Sequence, residues 1–272
     1  MNVERPVAPG ASDNGADPSE GPARLTRAGK TDSPARLNMD GVSYTKGTTL
    51  VLSDISLDLT ARRIGVVGRN GSGKSTLVRM FCGLIEPDEG QVSVDGIDCF
   101  SDRKAALETV GILFQNPDHQ IIFPTVGEEV AFGLRQMGQA KADAAQAAQA
   151  ALDRFGRGAW FDRSVQTLSQ GQRHLVCLIS VLAMQPKVIF LDEPYSGLDI
   201  PTTRALRLLL DDIDATVVHV THDPASLKGY DQVIWLEGGQ IAAQGDTGKV
   251  LDQFLAQMDR EGGKDAFADL SG

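Results

Sequence analysis

The chain has 272 residues, 42% of them hydrophobic and 23% charged, which suits one large globular domain or one domain with a small insert. Its net charge of −10 leaves out the basic footprint on which electrostatic nucleic-acid binding depends. Apolar runs such as Val188 to Leu191 fall far short of the about 20 residues that span a bilayer, so a membrane role requires a partner.

Residues 1–36 are rich in Pro, Gly, Ala, Ser and Asp and read as a disordered tail without the apolar core of a secretory signal. Leu37 to Tyr44 and Leu50 to Leu59 alternate apolar and polar residues, as half-buried antiparallel strands do. Arg63 to Val67 is a short apolar strand and Thr76 to Leu84 carries apolar residues at helical spacing. Gln91 to Gly96 and Val110 to Phe114 read as two more strands. Thr125 to Gly156 holds two helical stretches, the second being the Ala-rich Lys141 to Leu152. A long helix over Ser169 to Met184 follows, then a strand at Val188 to Leu191, a helix over Thr202 to Ile213 and a strand at Thr216 to Thr221. A last pair of strands falls near Val233 to Leu236 and Gln240 to Ala243, and 259–272 reads as a second flexible tail. Cys82, Cys99 and Cys177 are widely spaced with no metal-type pairing, and read as thiols of a reducing compartment. His219 reads as a packed strand residue rather than a ligand.

Between the strand at Arg63 and the helix after it stands Gly68-Arg69-Asn70-Gly71-Ser72-Gly73-Lys74-Ser75-Thr76, which fits G-x-x-x-x-G-K-[ST]. A strand, such a loop and a helix aim backbone N–H groups and the positive end of the helix at a polyphosphate. Lys74 would reach the β- and γ-phosphates and the Ser75 hydroxyl would ligate Mg²⁺, so the loop implies a bound nucleoside triphosphate. Strands alternating with helices around it imply an α/β phosphate-loop NTPase core with a mainly parallel sheet. An antiparallel β subdomain precedes that core, and an inserted α-helical subdomain covers about 117–180 of a domain spanning 37–258.

Val188-Ile-Phe-Leu-Asp192-Glu193-Pro194 is an apolar strand ending in two acids, at the sheet edge where ligands bind in open α/β folds. Asp192 fits a Mg²⁺ ligand and Glu193 a base for the attacking water, although two acids at a strand end would by themselves be explained as caps. Ser169-Gln170-Gly171-Gln172 opens the longest helix as a capping box, and from the residues alone a further anion role stays open.

Taken in order, the phosphate loop, Gln115, Leu168-Ser-Gln-Gly-Gln172, Phe190-Leu-Asp-Glu-Pro194, Ser196-Gly-Leu-Asp199 and His222 resemble the ATP-binding-cassette ATPases over roughly Leu37 to Met258. The resemblance implies ATP and Mg²⁺ as cofactors and a head-to-tail pair of chains, each ATP lying between one phosphate loop and the partner's signature motif. It assigns Ser169, Gln170, Gly171 and Gln172 to that signature, acting in trans, and Tyr44 to stacking on adenine. Gln115 matches the lever that senses Mg²⁺, and with Ser75 and Asp192 makes up the metal set. Asp199 matches the loop that couples the two sites, and His222 the switch histidine that joins Glu193 and Gln115 in catalysis. Gln170 departs from the Gly common in the signature, so altered fine geometry is expected there.

The short span from Lys74 to Ser169 leaves no room for the coiled-coil insertions of chromosome-maintenance relatives. Phe114-Gln-Asn-Pro-Asp-His-Gln-Ile-Ile-Phe-Pro-Thr-Val-Gly-Glu-Glu-Val-Ala-Phe-Gly133 resembles the energy-coupling-factor importers of prokaryotes, biotin importers first and cobalt or nickel importers second. That resemblance implies a separate ATPase subunit at the cytoplasmic face of the membrane, paired with itself or with a paralogous ATPase. A transmembrane coupling subunit and a substrate-capture membrane subunit would complete the complex, with no nucleic acid. Ile121, Ile122 and Phe123, beside Pro124, are expected to form an exposed apolar cluster that docks the transmembrane partner.

Overall fold

The computed structural model describes residues 33–265; residues 1–32 of the tail expected over 1–36, and the last seven residues, lie outside them. The chain is already anchored before Leu37. Ala35 is buried and its N–H donates to Thr216 Oγ1, and Arg36 pairs with Asp58.

β1 (Leu37–Lys46), β2 (Thr49–Leu59) and β4 (Glu89–Val94) form an antiparallel sheet in the order β2-β1-β4. Alternation decides which face is buried: Leu37, Met39 and Val42 of β1 and Ile55, Leu57 and Leu59 of β2 join the main core with the solvent-facing residues between them. The second sheet runs β5-β6-β7-β3-β8-β9, with β3 (Arg63–Val67), β5 (Val110–Leu113), β6 (Val188–Asp192), β7 (Thr216–Val220) and β8 (Gln232–Glu237) parallel. Only β9 (Gln240–Asp246) is antiparallel, closing a hairpin with β8. β6 and β7 are buried along their whole length, as continuous apolar strands covered on both faces must be.

α1 (Lys74–Phe81) fills the space between the sheets, its Phe81 stacked on Phe190 of β6 with ring centres 5.7 Å apart. It stops three residues before Leu84 because the N–H groups of Gly83 and Leu84 turn back onto the carbonyls of Met80 and Arg79. α2 (Arg103–Thr109) is a seven-residue helix with no strong apolar periodicity in the sequence, capped by the Asp102 side chain. α3 (Val126–Gln136), α4 (Lys141–Arg154) and α5 (Gln170–Ala183) pack around a cluster of their own that includes Val130, Ala148, Leu152, Val176 and Ile179.

α6 (Ile200–Asp211) begins two residues before the expected Thr202, because Asp199 caps it and Pro201 suits its first turn. α7 (Thr247–Asp265) runs through the position where the second tail was expected to begin. Its Val250 and Phe254 are buried against β8 and the end of β3, which holds the helix on the sheet.

Candidate functional site

The loop from Gly68 to Gly73 leaves β3 and turns at once into α1, whose N-terminus opens on a cavity of about 330 Å³. Gly68 is required there by close approach: a Cβ at that position would lie 2.1 Å from the carbonyl oxygen of Leu236. Lys74 is buried and its Nζ donates to the carbonyls of Gly68 and Arg69, both at 2.8 Å. Burial pushes its ammonium below the usual range, and the carboxylates of Glu193, Asp192 and Glu237 work against that push. Ser72 Oγ is buried with no hydrogen-bond partner. That hydroxyl does not line the cavity; the start of α1 and the Lys74 ammonium do, and these donors fit an anion.

Facing the loop, β6 delivers Asp192 and Glu193. Ser75 Oγ donates to Asp192 Oδ1 at 3.2 Å. Burial pushes the Asp192 carboxyl up, while the Ser75 hydrogen bond and the cations of Arg79 and Lys74 pull it down. Glu193 sits at φ 52°, in the left-handed region that non-glycine residues seldom occupy. Two contacts hold it there: its N–H donates to the Val220 carbonyl, and its carboxylate lies 2.8 Å from His222 Nδ1. Gln115 Nε2 donates to Ser196 Oγ at 3.3 Å, tying the strand that precedes the helical lobe to the turn after Glu193.

The cavity wall therefore brings together Asn70, Gly71, Gly73, Lys74, Ser75, Thr76, Gln115, Asp192, Glu193 and His222 of the expected set. Arg69 is turned away, its guanidinium paired with Glu261 of α7. Tyr44 is half-buried on β1 and does not line the cavity, though it pairs across the strands with Leu52, next to the wall residue Val51. Val51 carries no signal in the sequence, since an apolar strand residue looks the same on any wall.

The signature residues line no part of this cavity. Ser169 and Gln172 form the expected capping box, Ser169 Oγ accepting from Gln172 N at 3.3 Å and Gln172 Oε1 from Ser169 N at 3.0 Å. Gln170 folds back onto the turn before α6: a Cβ at Gly197, which is at φ 71°, would lie 3.0 Å from its Nε2. Asp199 caps α6 through Thr202 N, and hydrogen bonds from Thr202 hold its carboxyl below the usual range.

The expected apolar cluster after Gln115 is only partly exposed. Ile122 stands 69% exposed, but Ile121 packs between two core clusters and the Phe123 ring lies 5.1 Å from that of Phe132. The difference comes from Glu129, a buried carboxylate on α3 that accepts the N–H groups of both Ile122 and Phe123 at 2.9 Å. Arg173, one residue past the signature, also reaches this segment through an ion pair to Asp118 at 3.0 Å. No helix among the described residues is long and apolar enough to cross a membrane.

Comparison with known proteins shows the family and the fold. The sequence profile of the ABC transporter family matches residues 52–196. The biotin transport ATP-binding protein BioM of Rhodobacter capsulatus is 50% identical over 222 residues, covering 82% of this chain and 95% of that protein. Among solved structures, cbiO1 from Clostridium perfringens, described as part of the ABC transporter complex cbiONQ, superposes with a TM-score of 0.67 at 29% identity, over 83% of this chain and 93% of that one. A dimeric ATP-binding cassette bound to ADP and Pi shares the fold at 24% identity, with a TM-score of 0.67 over 78% of this chain and 98% of that one. A profile match over more than half of the chain, with half of 222 aligned residues identical to a relative covered over 95% of its length, places it plainly: the chain belongs to the ABC transporter family, among its ATPases.

Proposed function

We propose that this chain is the ATP-hydrolysing subunit that powers uptake of biotin through a membrane-embedded energy-coupling-factor transporter, working as a head-to-tail pair at the cytoplasmic face of a prokaryotic membrane. The observation that carries the hydrolytic part is one cavity walled together by Lys74, Ser75, Gln115, Asp192, Glu193 and His222. The choice of biotin is supported by the identity to a biotin transport ATP-binding protein.

Lys74 waits on two loop carbonyls, and the β- and γ-phosphates replace them as its acceptors. The N–H groups at the start of α1 take further phosphate oxygens. Ser75 Oγ and Asp192 Oδ1 are adjacent hard oxygen donors, with the Gln115 amide on the same wall, and this set fits Mg²⁺ completed by nucleotide oxygens and water. Held by Ser75 and Asp192, the ion would supply Lewis-acid stabilisation of the charge that develops during phosphoryl transfer. Glu193 orients the attacking water and accepts its proton, with His222 fixing the carboxylate. Tyr44, one strand away from the wall residue Val51, would stack on the adenine.

Ser169, Gln170, Gly171 and Gln172 serve the partner's ATP, and Asp199 links the two sites. Gln170 is turned onto Gly197. Ile122 is the apolar point offered to the transmembrane subunit, with Glu129 holding its backbone in place.

Co-expression with a multispanning partner and labelled-biotin uptake in vesicles tests the reading. Uptake should need ATP, fail with Lys74→Ala, and fail with Ile122→Asp although the isolated subunit still binds ATP. Uptake that survives Lys74→Ala would remove the energising role. ATP-driven movement of cobalt or nickel with no biotin uptake would overturn the solute.

A further inference from the structure

α7 lies wholly outside the stretch that the family profile matches, yet it is fastened to the phosphate loop at two levels. Under the loop, Val67, the last residue of β3, shares a buried cluster with Val250 and Phe254 of α7, and Phe254 meets Trp235 edge-on with ring centres 5.6 Å apart. Beside the loop, Arg69 Nη1 lies 3.0 Å from Glu261 Oε2, and Glu261 in turn accepts a hydrogen bond from Gln257 one turn earlier. The carbonyl of Arg69 is one of the two that hold Lys74 Nζ. A continuous line of contacts thus runs from α7 through Arg69 to the ammonium that meets the phosphates.

We propose that α7 is a positioning element of the nucleotide site, with Glu261 acting through Arg69 to hold the first turn of the phosphate loop in the shape that receives a polyphosphate. The proposal rests on the phosphate loop being the ATP site. A glycine-rich loop has few side chains to pack, so it loses backbone freedom when it wraps a ligand. Freedom removed beforehand is not lost on binding, and affinity rises accordingly.

The side chains of Arg69 and Glu261 are 58% and 41% exposed, so the pair is screened by salt and its effect is small. Its sign is nevertheless diagnostic. By Coulomb's law alone an acid near the loop repels a polyphosphate, and neutralising Glu261 would tighten binding. Positioning demands the opposite.

The experiment is a binding titration of the full chain with a fluorescent ATP analogue, at low and high salt, for the wild type, Glu261→Gln, Arg69→Gln and the double variant. At low salt each single variant should raise Kd about two- to fivefold, the range expected of one part-exposed ion pair. The double variant should be no worse than the weaker single, because both remove the same link. The differences should shrink at high salt, and melting temperatures should stay together, since neither side chain belongs to the core. A Kd that falls or stays unchanged in Glu261→Gln, or effects that add in the double variant, would overturn the proposal. Lys74→Ala is the separate control: wild-type affinity there would remove the ATP-site reading itself, whatever α7 does.

Discussion

At the C-terminal edge of the six-stranded sheet, the groups around Lys74 answer one another across distant parts of the chain, whereas at the start of α5 the signature residues meet only one another and the neighbouring start of α6. Ser75 from α1 meets Asp192 from β6, Glu193 meets His222 from beyond β7, and Gln115 from beyond β5 meets Ser196. Ser169 and Gln172, by contrast, close a capping box within one helical turn, and no signature residue reaches the cavity. On the head-to-tail pairing proposed above, folding finishes one half of the nucleotide site and leaves the other half built but idle. The sheet edge is held by tertiary contacts, so it exists in a single chain; a helix N-terminus is self-sufficient and can wait for a ligand brought by another copy.

Breaking the finished half should give the largest effect. Glu193→Gln keeps the shape and the His222 contact but removes the proton acceptor, and loss of one positioned base typically costs about 10²–10⁴-fold in rate. Steady-state phosphate release measures the loss. Size-exclusion chromatography with ATP should show the pair of chains accumulating, since binding survives and turnover does not. Normal hydrolysis by this variant would remove Glu193 from the role proposed for it.

The idle half is tested by mixing. Lys74→Ala disables a phosphate loop and Ser169→Arg blocks a signature, so each variant alone should be inactive. In a mixed pair one site carries both defects and the other carries neither, and partial hydrolysis should return. A mixture as silent as its components would count against head-to-tail pairing, or show that one intact site cannot fire by itself; binding of one ATP per mixed pair separates the two.

The same contrast explains what could be read from the sequence. The phosphate loop, the Asp192-Glu193 strand end and the Ser169 cap are contiguous patterns, each decided by residues within one or two turns, and all three stand where the spacing put them. Boundaries set by local caps were also within reach: Asp199 and Pro201 announce the start of α6, although the apolar pattern drew the expected start to Thr202. Contacts between distant segments were not legible. Nothing near Ile121 reports that Glu129 ties down the next two N–H groups, so three apolar residues in a row looked like one exposed patch. α7 shows apolar residues at 250, 251, 254, 255 and 258, a helical spacing, but its polar composition masked a helix that the sheet stabilises rather than its own propensity.

The smallest expected effect concerns a buried histidine in each half. His219 on β7 is fully buried, with Nδ1 3.2 Å from the Tyr230 hydroxyl and its ring edge-on to Tyr195. His174 on α5 is buried with neither ring nitrogen partnered among the described residues. Burial lowers both, His219 to about 3. The unfolded chain takes up a proton on histidine near pH 6.5, while native His219 refuses it until about pH 3, so stability should fall as pH drops through that window. One such proton gives a slope of about 1.4 kcal/mol per pH unit, or about 2 kcal/mol between pH 6.5 and 5. The two sites should then part company. His219→Phe removes the acid slope but also leaves the Tyr230 hydroxyl without its partner, so it should lose stability at neutral pH. His174→Leu removes two unpaired polar atoms from an apolar cluster, so it should hold or gain stability at neutral pH and gain more at pH 5. Urea unfolding at pH 7 and pH 5 measures both. Equal losses from the two variants at pH 7 would show that His174 has a partner in solution, and that the signature helix is tied into the core as firmly as the sheet edge is.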